Sequence, residues 1–331
     1  MNVIQVHPLG YELRPHGHEP DMYEALRPYL KERGHQLVED VNQADVLLFD
    51  SEIWDLGADG RSGVYSPYDM RVLDVALQKK LPIAFFDHFD YWGTPKYGCP
   101  WSGKNDWEQL PKLNWQKQNW AGFMYSASRP GMCPILYFLR KMQAEGQKYP
   151  DWVFPLEYPL FDYYLPLATK EELFARPNDV CLLANESKQR INAMYSLKTD
   201  GRLKVDAQMV PVRMTKEAWV ERHRQAKLFV ECDASMGSER PQRLMTVAPM
   251  LRVRSDHRIP FPRQDMVHQV VVGDYDGNIT REDVDKILSV ITNPELLHSI
   301  YMRGYEHMEE HYSMGARCNY IIDHLEKAFA K

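Results

Sequence analysis

Residues 180–231 read VCLLANESKQRINAMYSLKTDGRLKVDAQMVPVRMTKEAWVERHRQAKLFVE, and this stretch alternates between two kinds of pattern. Three short apolar runs have the composition of buried strands, and the two longer segments between them have the spacing of helices. Strands that alternate with helices predict a parallel sheet with helices packed on its faces. The predicted strands are 180–184, 203–209 and 227–231, and the predicted helices are 188–197 and 215–225.

The same alternation occurs earlier in the chain, which predicts a second α/β unit of similar size. Its predicted strands are 2–7, 45–49 and 82–86, and its predicted helices are 21–33 and 68–80. The sequence also predicts a helix over 134–143, a proline-rich interdomain connection over 149–166, a short helix at 242–247, strands at 250–253 and 267–272, a helix at 281–291, and terminal helices broken near 313–315. A chain of 331 residues, at about 150 residues per domain, is expected to form two domains.

The composition is that of a folded protein. Hydrophobic residues make up 44% and aromatic residues 12% of the chain, which excludes a disordered polypeptide. No apolar run approaches the roughly 20 residues that a membrane helix needs, and the N-terminus lacks the pattern of a secretory signal, so we expect no membrane insertion. The five cysteines are scattered and form no CxxC pair, which favours a cytoplasmic location over a disulfide framework or a zinc ribbon.

Two strand-to-helix turns of the second unit have the features of an anion site, because a helix N-terminus offers free N–H groups beside the carboxyl end of a parallel strand. In the first turn, Ser187 is a predicted N-cap and Arg190 lies in the first helical turn. In the second, Gly237 permits close backbone approach, and Arg240 and Arg243 are spaced three apart. Backbone donors and bidentate guanidinium groups together suit a diphosphate. The alternative is that these arginines pair with nearby acidic residues.

Two segments of the C-terminal half resemble a known enzyme family. Residues 227–253 (KLFVECDASMGSERPQRLMTVAPMLRV) and 268–313 (HQVVVGDYDGNITREDVDKILSVITNPELLHSIYMRGYEHMEEHYS) are similar to the C-terminal half of group-1-type glycosyltransferases of GT-B architecture, including the spore-maturation-like subgroup. In that family a strand and loop lead into a helix start that contains arginine, and a later helix carries an Asn-Pro-Glu … Gly … His pattern. The resemblance spans about residues 180–331, and the N-terminal half matches in its alternation and in Gly10 of its first strand-to-helix loop.

The resemblance implies an α/β fold with two Rossmann-like, doubly wound domains that face a cleft, and a C-terminal helix that crosses back to the first domain. The implied divisions are an acceptor-side domain over 1–165 with a Trp/Lys-rich insertion at 91–126, a donor-binding domain over 166–315, and the C-terminal helix over 316–331. It further implies a hexosyl- or pentosyltransferase that uses a nucleoside diphosphate sugar, with a UDP-sugar as the favoured co-substrate and with no obligatory cofactor or metal.

By position, the resemblance assigns donor-binding roles in the second domain. The three arginines of the two turns would contact the diphosphate, the backbone near 210–212 the base, and the residues at 256–257 the sugar hydroxyls. Thr246 stands where many family members have a Glu that holds the ribose, and Glu239 lacks the second Glu of an E-x7-E pair, which leaves the stereochemistry open. The predicted donor-binding residues are Ser187, Arg190, Arg213, Gly237, Glu239, Arg240, Arg243, Thr246, Asp256 and His257.

The first unit contains the candidate base and acceptor residues. Asp87, His88 and Asp90 follow the strand 82–86, where a carboxylate or imidazole could take the proton of an acceptor hydroxyl; capping of the strand end is the alternative. The segment 91–120 interleaves five tryptophans with four lysines, which suits stacked nucleic-acid bases, sugar rings or a packed structural lid. The predicted acceptor-binding residues are Gly10, Trp92, Lys96 and Trp101.

One further pattern, H-x-x-E-H at 307–311, is typical of inverted zinc peptidases, but only 20 residues follow it, which leaves little room for the downstream carboxylate ligand. The sequence therefore predicts no metal site. It predicts a glycosyltransferase whose acceptor is a saccharide or a hydroxymethylated base of phage-type DNA, although the net charge of −6 argues against duplex DNA. The alternatives are a sugar-nucleotide epimerase and a non-catalytic nucleic-acid or saccharide binding module of the same fold.

Overall fold

The computed structural model divides the chain into two compact units. Unit 1 comprises residues 1–142, 147–156 and 318–331, and unit 2 comprises residues 143–146 and 157–317. The structure describes residues 1–6, 22–50, 67–87, 123, 127, 131–139, 142–143, 151–155, 166–184, 187–209, 216–232, 244–254, 257–258 and 261–329. Among these residues, no helix has both the length and the apolar character required to cross a lipid bilayer.

Unit 1 is built on a parallel sheet. Its strands are β1 (Asn2–Val6), β2 (Gln36–Leu37), β3 (Val46–Asp50), β4 (Ile83–Asp87), β5 (Ile135–Leu139) and β7 (Val153–Pro155), with the short β6 (Met142–Gln143) preceding β7 in the chain. The strand order is β2-β1-β3-β4-β5-β7, and each neighbouring pair is parallel. Its helices are α1 (Met22–Glu32), α2 (Pro67–Lys79) and, from Cys318 onward, the C-terminal helix α8 (Met314–Phe329).

The central strands of unit 1 are buried along their length, as expected of a parallel sheet that is covered on both faces. Phe49, Phe85 and Tyr137 are register partners on β3, β4 and β5, and neighbouring ring centroids among them are 5.5 Å and 5.0 Å apart. Burial of one such aromatic side chain contributes about 1.5–3 kcal/mol. A one-residue slip of any of these strands would move its ring to the opposite face of the sheet and break the row, so the row of rings favours the observed pairing.

The last helix of the chain packs on unit 1. The Tyr320 hydroxyl donates to the carbonyl of Pro155 at 3.2 Å, and Arg33 pairs with Asp323 at 2.8 Å and with Glu326. The Arg33 contact to Asp323 joins residues 290 positions apart. The N-terminal and C-terminal parts of the chain therefore belong to one packed unit.

Two strands of unit 1 correct the sequence prediction. The predicted helix over 134–143 is wrong, because residues 135–139 (ILYFL) form β5, which pairs with β4 and β7. A short continuous apolar run does not distinguish a buried strand from a buried helix by its periodicity, and pairing on both sides decides for the strand. The predicted connection over 149–166 likewise contains β7.

Unit 2 contains a second parallel sheet. Its strands are β8 (Asn178–Ala184), β9 (Val205–Met209), β10 (Ala226–Glu231), β11 (Met250–Val253) and β13 (Val270–Val272), and a two-residue strand, β12 (His257–Arg258), lies outside this sheet. The strand order is β13-β11-β10-β8-β9. Its helices are α3 (Lys170–Phe174), α4 (Lys188–Asp200), α5 (Lys216–Arg224), α6 (Arg281–Ile291) and α7 (Pro294–Tyr312).

The alternation predicted for residues 180–231 is confirmed, with end shifts of at most three residues. The predicted helix at 281–291 is also confirmed, and Thr280 and Asp283 form a full capping box at its start. The sheet has a core on each face, since Leu228 and Val230 belong to one buried cluster and the intervening Phe229 belongs to another. Unit 2 is therefore an α/β layer structure, as the sequence predicts.

Candidate functional site

The strand order of unit 2 marks a candidate binding position. Strand β8 has β9 on one side and β10 on the other, so the chain reverses its direction of travel across the sheet between these strands. In open parallel sheets, ligands bind outside the carboxyl ends of the strands at such a reversal. Strand β8 ends at Ala184 and strand β10 ends at Glu231. The turns that follow these two strands are the two predicted anion-binding turns.

Helix α4 begins at this position with a capped N-terminus. Ser187 has an extended backbone, with φ −151° and ψ 157°, and its Oγ accepts a hydrogen bond from the backbone N–H of Arg190 at 3.3 Å. Arg190, in the first turn of the helix, is only 7% exposed, so its side chain is buried. First-turn N–H groups lack acceptors within the helix, and together with the helix dipole they favour an anion in front of them.

The first turns of α4 are tied to two other strand ends. The Nε2 of Gln189 donates to the carbonyls of Arg254, just beyond β11, and of Tyr275, in the loop beyond β13, at 3.2 and 3.3 Å. The Nδ2 of Asn192 donates to the carbonyl of Asp276 at 2.9 Å. The carboxyl ends of β8, β11 and β13 are therefore connected through one helix start.

The loop that follows β13 is folded around Asp274. Its Oδ1 accepts hydrogen bonds from the backbone N–H groups of Asn278 at 2.8 Å and Asp276 at 3.0 Å, and its Oδ2 accepts one from the Asn278 side chain at 2.8 Å. The hydrogen bonds from Asn278, first that of its side chain, lower the pKa of Asp274 below its usual value, because they stabilise the carboxylate form. The carboxylate thus organises the loop that contacts α4.

Two buried charged residues at the same sheet edge were not predicted from the sequence. Glu231 and Arg252 are register partners at the ends of β10 and β11, and they are 2% and 7% exposed. By strand alternation both side chains lie on the sheet face of Phe229 and Met250. The available signal was a charged residue within or at the end of an apolar strand, where burial of a charge requires a partner.

Three further predicted site residues fall within the described part of the chain. Thr246 is fully buried, and its carbonyl accepts a hydrogen bond from the Tyr301 hydroxyl at 2.7 Å. Asp87 is the last residue of β4 and His257 the first of β12; the structure describes the backbone, not the side chains, of these two residues. The predicted residues outside the described ranges are Gly10, His88, Asp90, Trp92, Lys96, Trp101, Arg213, Gly237, Glu239, Arg240, Arg243 and Asp256.

The H-x-x-E-H pattern forms part of a packed histidine cluster, which we define as His268, His307 and His311. The rings of His268 and His307 are stacked at 4.4 Å, and His311 lies 4.6 Å from His307. The Nε2 of His307 lies 3.2 Å from the carbonyl of Phe261, and burial lowers the pKa of His307 to about 4. Across the described residues, no group of three or more His, Cys, Asp and Glu side chains is arranged to hold a metal ion.

The chain is similar to known proteins in fold but not in sequence. No protein-family model matches the chain, and no curated protein matches it in sequence. A glycosyltransferase from Rickettsia africae ESF-5 superposes with a TM-score of 0.54 at 9% identity, over 100% of this chain and 99% of that one. Anabaena HepE, in complex with UDP-glucose, superposes with a TM-score of 0.50 at 10% identity, over 99% of this chain and 100% of that one.

The chain has the GT-B fold. At identities near 10% the likeness is one of architecture, with two Rossmann-like units and two parallel sheets. Within this GT-B chain, the described part of the candidate site lies in unit 2. It consists of the start of α4, the loop beyond β13 and the two buried charged residues at the ends of β10 and β11.

Proposed function

We propose that the protein is a glycosyltransferase that moves a sugar from a nucleoside diphosphate sugar, with UDP-sugars favoured, to an acceptor hydroxyl. The observation that carries this proposal is the capped start of α4, with Arg190 in its first turn, at the strand-order reversal of unit 2. Helix N–H groups and a guanidinium are the donors that a diphosphate needs. The solved complex of the GT-B protein HepE with UDP-glucose supports the same class of donor.

The proposed reaction exchanges one bond of the sugar for another. The bond between the anomeric carbon and the diphosphate oxygen breaks, and the electron pair leaves with the nucleoside diphosphate. A bond between the anomeric carbon and the acceptor oxygen forms, and the acceptor proton passes to a base. The start of α4 and Arg190 would stabilise the charge that develops on the leaving diphosphate, with Arg240 and Arg243 as further candidates.

The base and the acceptor belong to the same proposal. Asp87 ends β4 at the carboxyl edge of the first sheet, where His88 and Asp90 follow it in sequence, and any of the three can take a proton from a hydroxyl. The Trp- and Lys-rich segment that begins at residue 91 suits either a saccharide or a hydroxymethylated base in DNA. Gly10, Trp92, Lys96 and Trp101 are the residues proposed to contact the acceptor.

A two-stage experiment tests the proposal. The melting temperature is measured with UDP, GDP and ADP and with their glucose or mannose derivatives, and the stabilising donor is then incubated with oligosaccharides or with hydroxymethylated DNA. Release of nucleoside diphosphate that depends on one acceptor supports a transferase. Conversion of the donor without acceptor would identify an epimerase, and acceptor binding without release would identify a binding module. Absence of stabilisation by every nucleotide would overturn the donor site.

A further inference from the structure

The loop beyond β13 makes a close backbone contact with α4. Gly277 has φ +91°, a conformation that L-residues rarely adopt. A Cβ built on Gly277 would lie 2.2 Å from the carbonyl oxygen of Gln189 and 2.9 Å from its carbonyl carbon. The two backbones therefore pass each other at a distance that only glycine permits, and the first turn of α4 cannot advance toward the loop.

The side chain of Gln189 holds the same turn from a second direction. It is 9% exposed, and its one amide nitrogen bridges the carbonyls of Arg254 and Tyr275. Each of these carbonyls follows the end of a different strand, so the two hydrogen bonds of Gln189 fix the start of the helix relative to the edge of the sheet. Buried amide donors that bridge two carbonyls lose both hydrogen bonds when the side chain is replaced by an apolar one.

Further contacts extend along one side of α4. Lys188 Nζ lies 2.9 Å from the Asp276 carboxylate, and the backbone N–H of Ile279 donates to the Ser196 Oγ at 3.2 Å. Together with Asn192, these residues follow a helical face, so the loop runs beside the first turns of the helix. The loop therefore fixes both the axial position and the rotation of α4.

We propose that Gln189 and Gly277 are positioning residues, which hold the start of α4 so that its N–H groups and Arg190 stay directed at the diphosphate of the donor. This inference rests on the proposed function, because the diphosphate is the ligand that the helix start would receive. Neither residue touches the diphosphate in this scheme. Both act through the placement of the first turn, since hydrogen bonds to an anion weaken steeply when donors move out of line.

The first test separates the diphosphate from the nucleoside. Calorimetry measures the dissociation constants of UDP and uridine, or of whichever nucleotide pair stabilises the wild type, for the full-length protein and for Gln189→Met. Methionine keeps the length and the packing of the side chain and removes the donor. We expect about tenfold weaker binding of UDP and unchanged binding of uridine, because only the diphosphate contacts the helix start. Gln225→Met, which removes an exposed hydrogen bond to Glu221, is the control and should bind both as the wild type does.

The second test uses two glycines with similar backbone conformations. Gly277→Ala adds a Cβ against the backbone of Gln189, whereas Gly201→Ala, at φ +74°, adds one with nothing within 4 Å. Both variants strain a left-handed residue, so both should melt earlier. Only Gly277→Ala should also weaken the binding of UDP relative to the binding of uridine.

The outcomes distinguish the two proposals. If the wild type binds no nucleoside diphosphate, both the function and the positioning role are wrong. Suppose that the wild type binds UDP. If Gln189→Met weakens the binding of uridine and of UDP equally, or changes neither affinity, the positioning role is wrong while the proposed function stands. Selective loss of the diphosphate contribution in Gln189→Met supports the positioning role even where Gly277→Ala fails to fold.

Discussion

The start of α4 and the histidine cluster are both polar regions of unit 2, but they lie at different places in the fold. In the cluster, His307 Nε2 meets the carbonyl of Phe261, and His268 Nδ1 accepts the backbone N–H of Gln264 at 3.0 Å. Those ring nitrogens are already committed to the main chain. At the start of α4, the helix N–H groups and Arg190 lie beside the carboxyl end of β8.

The difference teaches that location in the fold selects a candidate ligand site where the strength of a motif alone would point to the histidines. H-x-x-E-H is a sharp pattern, yet its imidazoles pack against one another and against Phe261, whose ring stacks on that of His311 at 4.4 Å. The turn before α4 is neither a GxGxxG nor a Walker loop, yet it lies at the reversal of strand order, where open parallel sheets bind their ligands.

Removal of Arg190 should have the largest effect on binding. Arg190→Ala deletes the proposed charge-assisted donor to the diphosphate, a contact worth about 1.5–3 kcal/mol, so we expect UDP to bind roughly 10- to 100-fold more weakly by calorimetry. Arg202→Ala is the control, because Arg202 lies about 18 Å away at the other end of the same helix and pairs with Asp200 and Asp285. Equal losses in the two variants would contradict a ligand at the start of α4.

A glycine of α7 offers the corresponding test of the histidine cluster. A Cβ on Gly304 would lie 2.6 Å from the carbonyl oxygen of His268 and 2.9 Å from the Cε of Met245. Overpacking costs about 1–3 kcal/mol, and the better helix propensity of alanine returns up to about 1 kcal/mol. Gly304→Ala should therefore lower the free energy of unfolding by up to about 3 kcal/mol in urea titrations. UDP affinity should not change, and a loss of affinity would show that the cluster and the site are coupled.

The histidine cluster should also make stability depend on pH. Burial lowers the pKa of His307 from 6.5 to about 4, and the neighbouring Arg263, His268 and His311 act in the same direction. Burial and the charge of Arg263 also lower the pKa of His268, as does Arg303. Between about pH 4 and pH 6.5 the folded state therefore binds fewer protons than the unfolded state. The contribution of the neutral His307 to the free energy of unfolding is fully present above about pH 6.5 and is lost as the pH falls toward 4.

The measurement for this prediction is the free energy of unfolding between pH 7 and pH 4. His307→Gln keeps an amide donor for the Phe261 carbonyl and removes the titrating ring, so the slope over this range should become shallower. His298→Gln, nine residues earlier on α7 and outside the cluster, should keep the slope. An unchanged slope in His307→Gln would show that the acid sensitivity arises elsewhere.

The fold was largely predictable because local sequence patterns mark most of its strands and helices. Strands β8 and β10 are apolar runs bounded by polar residues, and the start of α6 carries its own cap. Strand β5 was predicted as a helix because ILYFL shows neither the alternation of a half-buried strand nor the 3.6-residue repeat of a helix. Its pairing with β4 and β7 identifies it as a strand. Pairing between strands that are distant in the chain cannot be predicted from one short stretch of sequence.

The candidate site was predictable in part for the same reason. Ser187 and Arg190 could be selected, because a cap and a cation directly after a strand are local signals. Gln189 could not, since its hydrogen bond to Tyr275 joins residues 86 positions apart. The pairing of Glu231 with Arg252 also depends on which strands are neighbours, as does the contact of Gly277 with α4.

The smallest expected effect comes from two helix caps of the same kind. The Ser187 Oγ caps α4, and the Asn293 Oδ1 caps α7 by accepting the N–H of Leu296 at 3.1 Å. Ser187→Ala and Asn293→Ala should each cost about 1 kcal/mol of stability, measured by urea unfolding. Only Ser187→Ala should weaken UDP binding as well, by a fewfold, because fraying of the first turn of α4 moves the N–H groups that face the diphosphate. Equal weakening by both substitutions would mean that nucleotide binding follows global stability, and the distinction between the two regions would then be lost.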